Sequence, residues 1–257
     1  MNDSDSTTDD ERPAGGHGRT YEGTELELFS HALNWKNYWS SMVRPYIGRR
    51  VLDVGAGIGA TAAYFRDMAC ERWIALEPDE ALGARIRQSL VAGELPAHVQ
   101  VRGGTIGDLD PAEQFDTILY VDVLEHIEDD ATELQLALGH LAPGGFLVIV
   151  APAHNWLYTP FDRAIGHHRR YDRSRLHAVM PPALRMTTCR YLDSVGALAS
   201  IGNRLVLRSA NPSIAQIRFW DRVLVPLSRF ADPLLFWRVG KSIICVATAD
   251  AGKQACA

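Results

Sequence analysis

The segment Val51-Leu-Asp-Val-Gly-Ala-Gly-Ile-Gly59 restricts this chain more than any other feature. An apolar run of strand length ends in three glycines two residues apart, and a helical pattern follows to about Asp67. Glycines at such a junction permit a tight turn and a close approach of backbone to a ligand. The helix that follows offers unpaired N–H groups. Alone, a G-x-G-x-G string also fits a plain structural turn. Its position adds weight, because Glu77, in Ile74-Ala-Leu-Glu-Pro-Asp79, closes a second apolar run. In an open α/β sheet both strand ends face one crevice.

The alternation continues along the chain. Strands are expected at Val51–Val54, Trp73–Leu76, Val99–Val101, Thr117–Val121 and Phe146–Val150, with helices near Glu80–Ala92 and Ala131–Leu141. Short apolar runs alternating with helices imply a parallel sheet covered on both faces. Two more strands, Met186–Leu192 and Ser242–Thr248, flank a helical insertion over residues 194–241 that is rich in aromatics and broken by Pro212, Pro226 and Pro233. Before the sheet, apolar spacing predicts a helix over Glu25–Tyr46, and residues 1–20 lack any apolar periodicity and read as disordered. The expected architecture is one domain over residues 21–250, without internal repeats.

Composition narrows the function. A hydrophobic share of 47% and a charged share of 22% are those of a globular protein. A net charge of −5 argues against general nucleic-acid binding, which needs a basic face. Cys70, Cys189, Cys245 and Cys256 are far apart and form no metal-type pair, so reduced thiols in the cytoplasm and no metal site are expected. The polar N-terminus has no signal-peptide character. Leu134–Phe161 carries no Asp, Glu, Lys or Arg but is interrupted by Pro143-Gly144-Gly145, Pro152 and Pro160, so no membrane span is expected.

The spacing of Glu77 suits the ribose of either a dinucleotide or S-adenosylmethionine. Asp53 favours the second, because a carboxylate would repel a pyrophosphate and attract an ammonium; a loop-capping role is the alternative. Val51–Gly59, Ile74–Asp79, Phe115-Asp-Thr-Ile-Leu-Tyr-Val-Asp-Val-Leu-Glu-His-Ile127 and Leu141-Ala-Pro-Gly-Gly-Phe-Leu-Val-Ile-Val-Ala-Pro152 occur in that order. Together they resemble the motifs of class I S-adenosylmethionine-dependent methyltransferases. The resemblance covers residues 48–155 and implies a doubly wound, mostly parallel seven-stranded sheet ending in an antiparallel hairpin. It also implies that Asp53, Gly55, Ala56, Gly57 and Gly59 meet the methionine part, that Glu77 and Pro78 lie at the ribose, and that Thr105 and Ile106 lie at the adenine. Asp108 is offset from the aspartate that many relatives place there. Val121 and Asp122 would line the methyl-transfer site, and the N-terminal helix, with Tyr21, Trp35 and Tyr38, would close over the cofactor.

Three segments are candidates for the acceptor. His126, in Leu124-Glu125-His126, has the ordinary pKa of a general base, or else orients its loop. Pro152–Arg173 holds His154, Tyr158, Asp162, His167, His168, Arg169, Arg170 and Tyr171. His154 and His167 join His126 as catalytic candidates. Tyr158, His168, Arg169, Arg170 and Tyr171 are the acceptor-binding candidates, and the Gly166-His-His-Arg-Arg-Tyr171 string resembles a subgroup of bacterial methyltransferases. Arginines pair with an anionic acceptor, or with Asp162, Asp172 and nearby acids to fix the loop. The insertion either covers a lipid-like acceptor or packs on the sheet. The expected activity is methyl transfer to a small or lipid-like, anionic acceptor, at oxygen before carbon or nitrogen. Rival readings are a nicotinamide-dependent oxidoreductase, disfavoured by the lack of a third glycine in register, and an RNA methyltransferase, disfavoured by charge.

Overall fold

The structure, a computed structural model, describes residues 29, 31–206 and 213–249, with backbone alone for 203–206. The disordered reading of residues 1–20, the position of Tyr21, Pro212 and Cys256 all lie outside the described residues.

Seven strands form one sheet: β1 (Arg50–Val54), β2 (Arg72–Glu77), β3 (Val99–Gly103), β4 (Phe115–Val121), β5 (Leu141–Pro152), β6 (Leu184–Leu192) and β7 (Ser242–Ala249). Their order is β3-β2-β1-β4-β5-β7-β6. The first five run parallel, and β7 is antiparallel to both β5 and β6. The order reverses between β1 and β4, so their carboxyl ends open the crevice where such sheets bind ligands.

Helices fill both faces: α1 (Leu33–Val43), α2 (Ala60–Ala63), α3 (Glu80–Val91), α4 (Asp130–Gly139), α5 (Pro160–Ala164), α6 (Arg173–Val179), α7 (Ser194–Val206), α8 (Ile214–Phe219) and α9 (Val225–Leu234). A π-helical stretch, Trp220–Leu224, joins α8 to α9. Strand alternation divides the core in two. Leu52, Val54, Ile74, Leu76, Ile118 and Tyr120 pack with Leu134 and Leu176 from α4 and α6. Val51, Trp73, Ala75, Leu119 and Val148 pack on the other face with Trp35, Trp39, Ile86 and Trp220.

Several boundaries differ from the sequence-based expectation. β5 begins at Leu141, not Phe146, because Leu141 pairs with Phe115 ahead of a register shift that absorbs Pro143-Gly144-Gly145. The helix expected to run to Leu141 accordingly stops at Gly139. After the glycine loop only Ala60–Ala63 is α-helical, and turns carry the chain on to Asp67.

The N-terminal helix is held by the insertion. Among the described residues it starts at Leu33, where Ala32 supplies no side-chain cap. Asp221 caps it from afar: its carboxylate accepts from the N–H groups of Asn34 (3.2 Å) and Trp35 (2.9 Å). One turn on, the Tyr38 hydroxyl donates to Asp232 (2.9 Å), which also accepts from the N–H groups of Asp193 and Ser194. Both acids are buried and sit on the insertion. Among the described residues no helix is long and apolar enough to cross a membrane.

Candidate active site

A cavity of about 1650 Å³ opens at the carboxyl ends of β1, β2, β4 and β5. Pockets for one drug-sized ligand run to about 1,000 Å³, so this one has room for a cofactor and an acceptor together. Gly55, Ala56, Gly57, Glu77 and Pro78 line one end. Thr105, Ile106, Val121 and Asp122 line its continuation.

The glycine loop is shaped by sterics. Gly55 has φ 62° and faces Val123, whose side-chain carbons would lie 2.8 Å from any added Cβ. Gly59, at φ 77°, does not line the cavity; an added Cβ there would press on Ile86 and Leu95, so this glycine serves close packing against α3. Glu77 holds the loop directly. Its Oε2 accepts from Gly57 N–H at 2.7 Å and its Oε1 from Asp79 N–H at 2.9 Å. Burial pushes the Glu77 carboxyl up, and those two N–H bonds oppose the rise.

Asp53 is placed differently from its expected role at the ammonium. Alternation along β1 turns it, with Val51, toward the layer of Trp73, and it is not on the cavity wall. It is 2% exposed and its Oδ2 has no hydrogen-bond partner. Burial lifts its pKa to about 7; the Trp73 indole tempers that rise without reaching hydrogen-bond geometry. Asp108 is occupied as well, accepting from Thr105 N–H and Oγ1 at 2.8 Å each in a capping box.

The other end of the cavity gathers titratable groups from two loops. Asp122 follows β4 directly at φ 53°, and its exposed surface opens on the cavity. Burial within the protein raises its pKa, against the pull of His167 and Lys36. Glu125 and His126 lie in the next 3₁₀ turn. The loop after β5 returns to them: His168 N–H donates to the Glu125 carbonyl at 2.8 Å, and the rings of His126 and His167 meet edge to face at 4.6 Å. Burial drives the His126 pKa down to about 4, and His167 and His168 add to the fall. That keeps the imidazole neutral near pH 7.

His167 is anchored from behind. Its Nδ1 lies 3.0 Å from Asp162 Oδ1. Arg170 grips the same carboxylate through Nε (2.9 Å) and a terminal nitrogen (2.8 Å). Burial favours a protonated Asp162, but the hydrogen bonds from His167 and Arg170 outweigh it and hold the carboxyl well below its ordinary range. The Tyr158 hydroxyl donates to the His167 carbonyl at 2.6 Å. Tyr158, His167 and Arg170 therefore do face the cavity.

Four candidates do not. The His154 ring stacks on Tyr191 at 4.6 Å, away from the cavity wall. His168 is absent from the wall, and its backbone N–H is spent on the Glu125 carbonyl. Arg169 pairs with Asp130 at 2.8 Å and donates to the carbonyls of Ile127 (2.9 Å) and Glu128 (2.7 Å). Tyr171 is fully buried, its hydroxyl 2.8 Å from Asp130 Oδ2 and 3.1 Å from the Leu124 carbonyl oxygen. These contacts fasten the loop to the turn that carries His126, so the loop-fixing alternative describes Arg169 and Tyr171. Asp172, an expected arginine partner, instead caps α6 through Arg175 N–H at 2.8 Å.

Sequence reasoning passed over Glu125 and Lys36 as site residues, although both line the cavity. Glu125 left a signal, a second acid three residues after Asp122 and next to His126 in Val121–Ile127. Nothing local marks Lys36, which reaches the wall only because α1 packs there. The expectation of no metal site rested on cysteine spacing, yet Glu125, His126 and His167 bring donor atoms within 4.8 Å of one another.

A family model described as a methyltransferase domain matches residues 44–201, more than half of the chain. The chain belongs to that methyltransferase family. S-adenosylmethionine is its cofactor, and the nicotinamide reading is set aside. Among curated relatives, the ubiquinone biosynthesis O-methyltransferases of Bradyrhizobium sp. (strain ORS 278) and Bradyrhizobium diazoefficiens are 29% and 30% identical to the methyltransferase over 109 and 120 residues. Each match covers 42% of this chain and 42% of the relative, so it spans less than half of either protein. Among solved structures, the [4+2]-cyclase SpnF superimposes with a TM-score of 0.59 at 15% identity, over 90% of this chain and 95% of that one. Coclaurine N-methyltransferase, bound to N-methylheliamine and S-adenosylhomocysteine, gives 0.57 at 15%, over 84% and 72%. Those likenesses establish the fold. That one neighbour is a cyclase shows why the acceptor chemistry must be argued from the site.

Proposed function

We propose that the methyltransferase acts on a hydroxyl oxygen of a small or lipid-like acceptor that carries an anionic group. The observation that carries this reading is the polar corner of Asp122, Glu125, His126 and His167 in a cavity whose remaining wall is largely apolar, with Trp35, Phe161, Phe219 and Trp220. A hydroxyl fits the corner and an apolar body fits the wall. Lys36, Arg170 and Lys241 are the cations on the wall; Arg170 is paired with Asp162 and Lys241 with Asp193, so Lys36 is the one that favours an anionic substituent. The two curated relatives named above are O-methyltransferases, which supports oxygen.

Methyl transfer is an in-line displacement. A lone pair of the acceptor oxygen forms the new O–C bond as the S–C pair returns to sulfur, leaving a neutral thioether, and the hydroxyl proton leaves to a base. Positioning supplies most of the catalysis, because the leaving group is already good. Neutral His126 is able to take the proton, although its depressed pKa makes it a weak base. Gly55, Ala56, Gly57 and Glu77 would hold the donor, with Thr105 and Ile106 at its adenine.

The test is transfer of a labelled methyl group from S-adenosylmethionine to fractionated small-molecule extract, lipid extract and RNA. Label on a hydroxyl-bearing, acid-containing small molecule or lipid is the expected result. Label confined to RNA, or to nitrogen, overturns the proposal.

A further inference from the structure

We propose that Glu125, His126 and His167 bind one divalent cation of the manganese–zinc class, at the point where the acceptor oxygen would sit. One carboxylate oxygen and two imidazole nitrogens lie within 4.8 Å of one another, and all three residues line the cavity. Glu125 provides the independent sign. It is fully buried, and neither carboxylate oxygen has a hydrogen-bond partner. The large majority of buried polar groups are satisfied, and Glu125 is the one carboxylate among the described residues with both oxygens buried and unpartnered, so it calls for a ligand.

The surroundings are arranged as around a metal ligand. Asp162 takes the Nδ1 side of His167, which directs Nε2 toward Glu125, 3.8 Å from its Oε1. That gap is too long for a hydrogen bond. Two donors about 2.1 Å from a shared ion stand up to about 4.2 Å apart, so the gap fits a metal between them. Asp162 is held in turn by Arg170 and by its capping box with Thr159, which completes a carboxylate–histidine–cation relay. Asp162 and Arg170 are then positioning residues. Two imidazoles with one carboxylate favour manganese, iron, cobalt or zinc over calcium. Three protein ligands leave open positions facing the cavity, where an acceptor hydroxyl would bind and lose its proton to solvent more readily; with the ion in place His126 is a ligand and no longer the base. Only this last use rests on the proposed O-methylation; cation binding stands without it.

The experiment titrates the full chain with Mn²⁺ by electron paramagnetic resonance and with Zn²⁺ by calorimetry. One ion per chain is expected, with Glu125→Gln and His167→Gln each weakening binding at least about tenfold, Asp162→Asn weakening it less, and exposed His177→Gln leaving it unchanged. S-adenosylmethionine binding by each variant verifies its fold. A variant-free measurement is Mn²⁺ broadening of the His126 and His167 ring signals in the native protein. No stoichiometric ion, or an ion that leaves those signals sharp, overturns the proposal. A bound ion without O-methylation would refute the functional reading alone, and O-methylation without an ion would refute this one alone.

A second observation, on the opposite side of the insertion, carries an inference of its own. We infer that the helical stretch Ile214–Leu234 docks on an anionic membrane surface. Val223, Leu227, Phe230 and Leu234 are 41%, 52%, 78% and 78% exposed. Their steps of three and four residues place them on one stripe of the helix. Phe219 stands between this stripe and the cavity wall it also lines. Arg218, Arg222 and Arg229 are exposed along one flank of that stripe. The two acids of the stretch, Asp221 and Asp232, are buried and occupied by the N–H groups they accept. Its exposed charges are therefore all positive, on a chain whose net charge is −5. An apolar stripe flanked by arginines suits a bilayer interface with anionic headgroups. The inner side of the same stretch, at Ile217, Trp220 and Leu224, lines the cavity, giving a lipid-like acceptor a short way in.

Co-sedimentation of the full chain with phosphatidylcholine vesicles, with and without phosphatidylglycerol, tests this. Binding to the anionic vesicles alone is expected, falling at least about tenfold for Phe230→Ser with Leu234→Ser and also falling for Arg218→Gln with Arg222→Gln. Absence of vesicle binding overturns the inference. So does a dimer in light scattering that the Phe230→Ser change splits while vesicles have no effect, which would make the stripe a contact with a second copy.

Discussion

Replacing Glu77 with alanine should weaken the methyltransferase twice, once without any ligand. Its carboxylate accepts from Gly57 N–H at 2.7 Å and Asp79 N–H at 2.9 Å, so it braces the glycine loop before the donor arrives. Hydrogen bonds to a charged group contribute about 1.5–3 kcal/mol each. Water entering from the cavity offsets part of the loss, and the burial that raises the Glu77 pKa means that its ionised form already carries a desolvation cost. A net loss of about 3 kcal/mol in the ligand-free protein is a reasonable magnitude, which for this chain length corresponds to roughly 6–12 °C in Tm. Affinity for S-adenosylmethionine should fall about a hundredfold or more, equivalent to about 2.7 kcal/mol, as loop order is lost together with the ribose contact proposed for Glu77. Glu77→Gln keeps one acceptor but turns an NH₂ toward the other N–H, so about half of each effect is expected. Differential scanning fluorimetry of the ligand-free proteins and calorimetric titration with S-adenosylmethionine read the two losses separately. An unchanged ligand-free Tm in Glu77→Ala would refute the brace. Unchanged affinity would refute the whole assignment.

Other expectations follow from the same contacts. Because burial raises Asp53 to a pKa of about 7 from an ordinary 3.8, its ionisation opposes folding; the wild type should lose stability as pH rises from about 4 to 7, by up to about 1.4 kcal/mol per unit. Urea midpoints across that window should fall more steeply for wild type than for Asp53→Asn, and parallel curves would show that Asp53 is not buried as an acid. Arg169→Ala leaves the buried Asp130 carboxylate with the Tyr171 hydroxyl and the more distant Arg175, and should cost about 1.5–3 kcal/mol in stability, while S-adenosylmethionine affinity changes by less than about threefold, or about 0.65 kcal/mol. Equal stability in that variant would restore Arg169 as a candidate for the acceptor. Asp221→Ala removes the distant cap of α1 and should cost about 1–2 kcal/mol by urea denaturation; no loss would mean that α1 holds its place by packing alone.

What the sequence by itself determined is the part of the molecule governed by local pattern. Strand and helix periods, the glycine loop after β1 and the acid after β2 are written within some thirty residues, and neighbouring parallel strands bring their ends together without further instruction. The residues that line the end of the cavity proposed for the donor were therefore legible. Yet alternation along β1 turned Asp53 away from the cavity, and close packing of α3 claimed Gly59, because local pattern does not say which neighbour a side chain meets. The acceptor half depended on long-range placement. His167 meets Glu125 and His126 because Arg169 and Tyr171, four residues or fewer beyond it, are tied to Asp130 and to the carbonyls around Leu124. In sequence those two looked like ligands for an acceptor; in the structure they are fastenings, since a buried charge or hydroxyl takes whatever partner the fold sets beside it. The same reason hid the capping of α1 by Asp221, 186 residues from Trp35, a pairing no local spacing encodes.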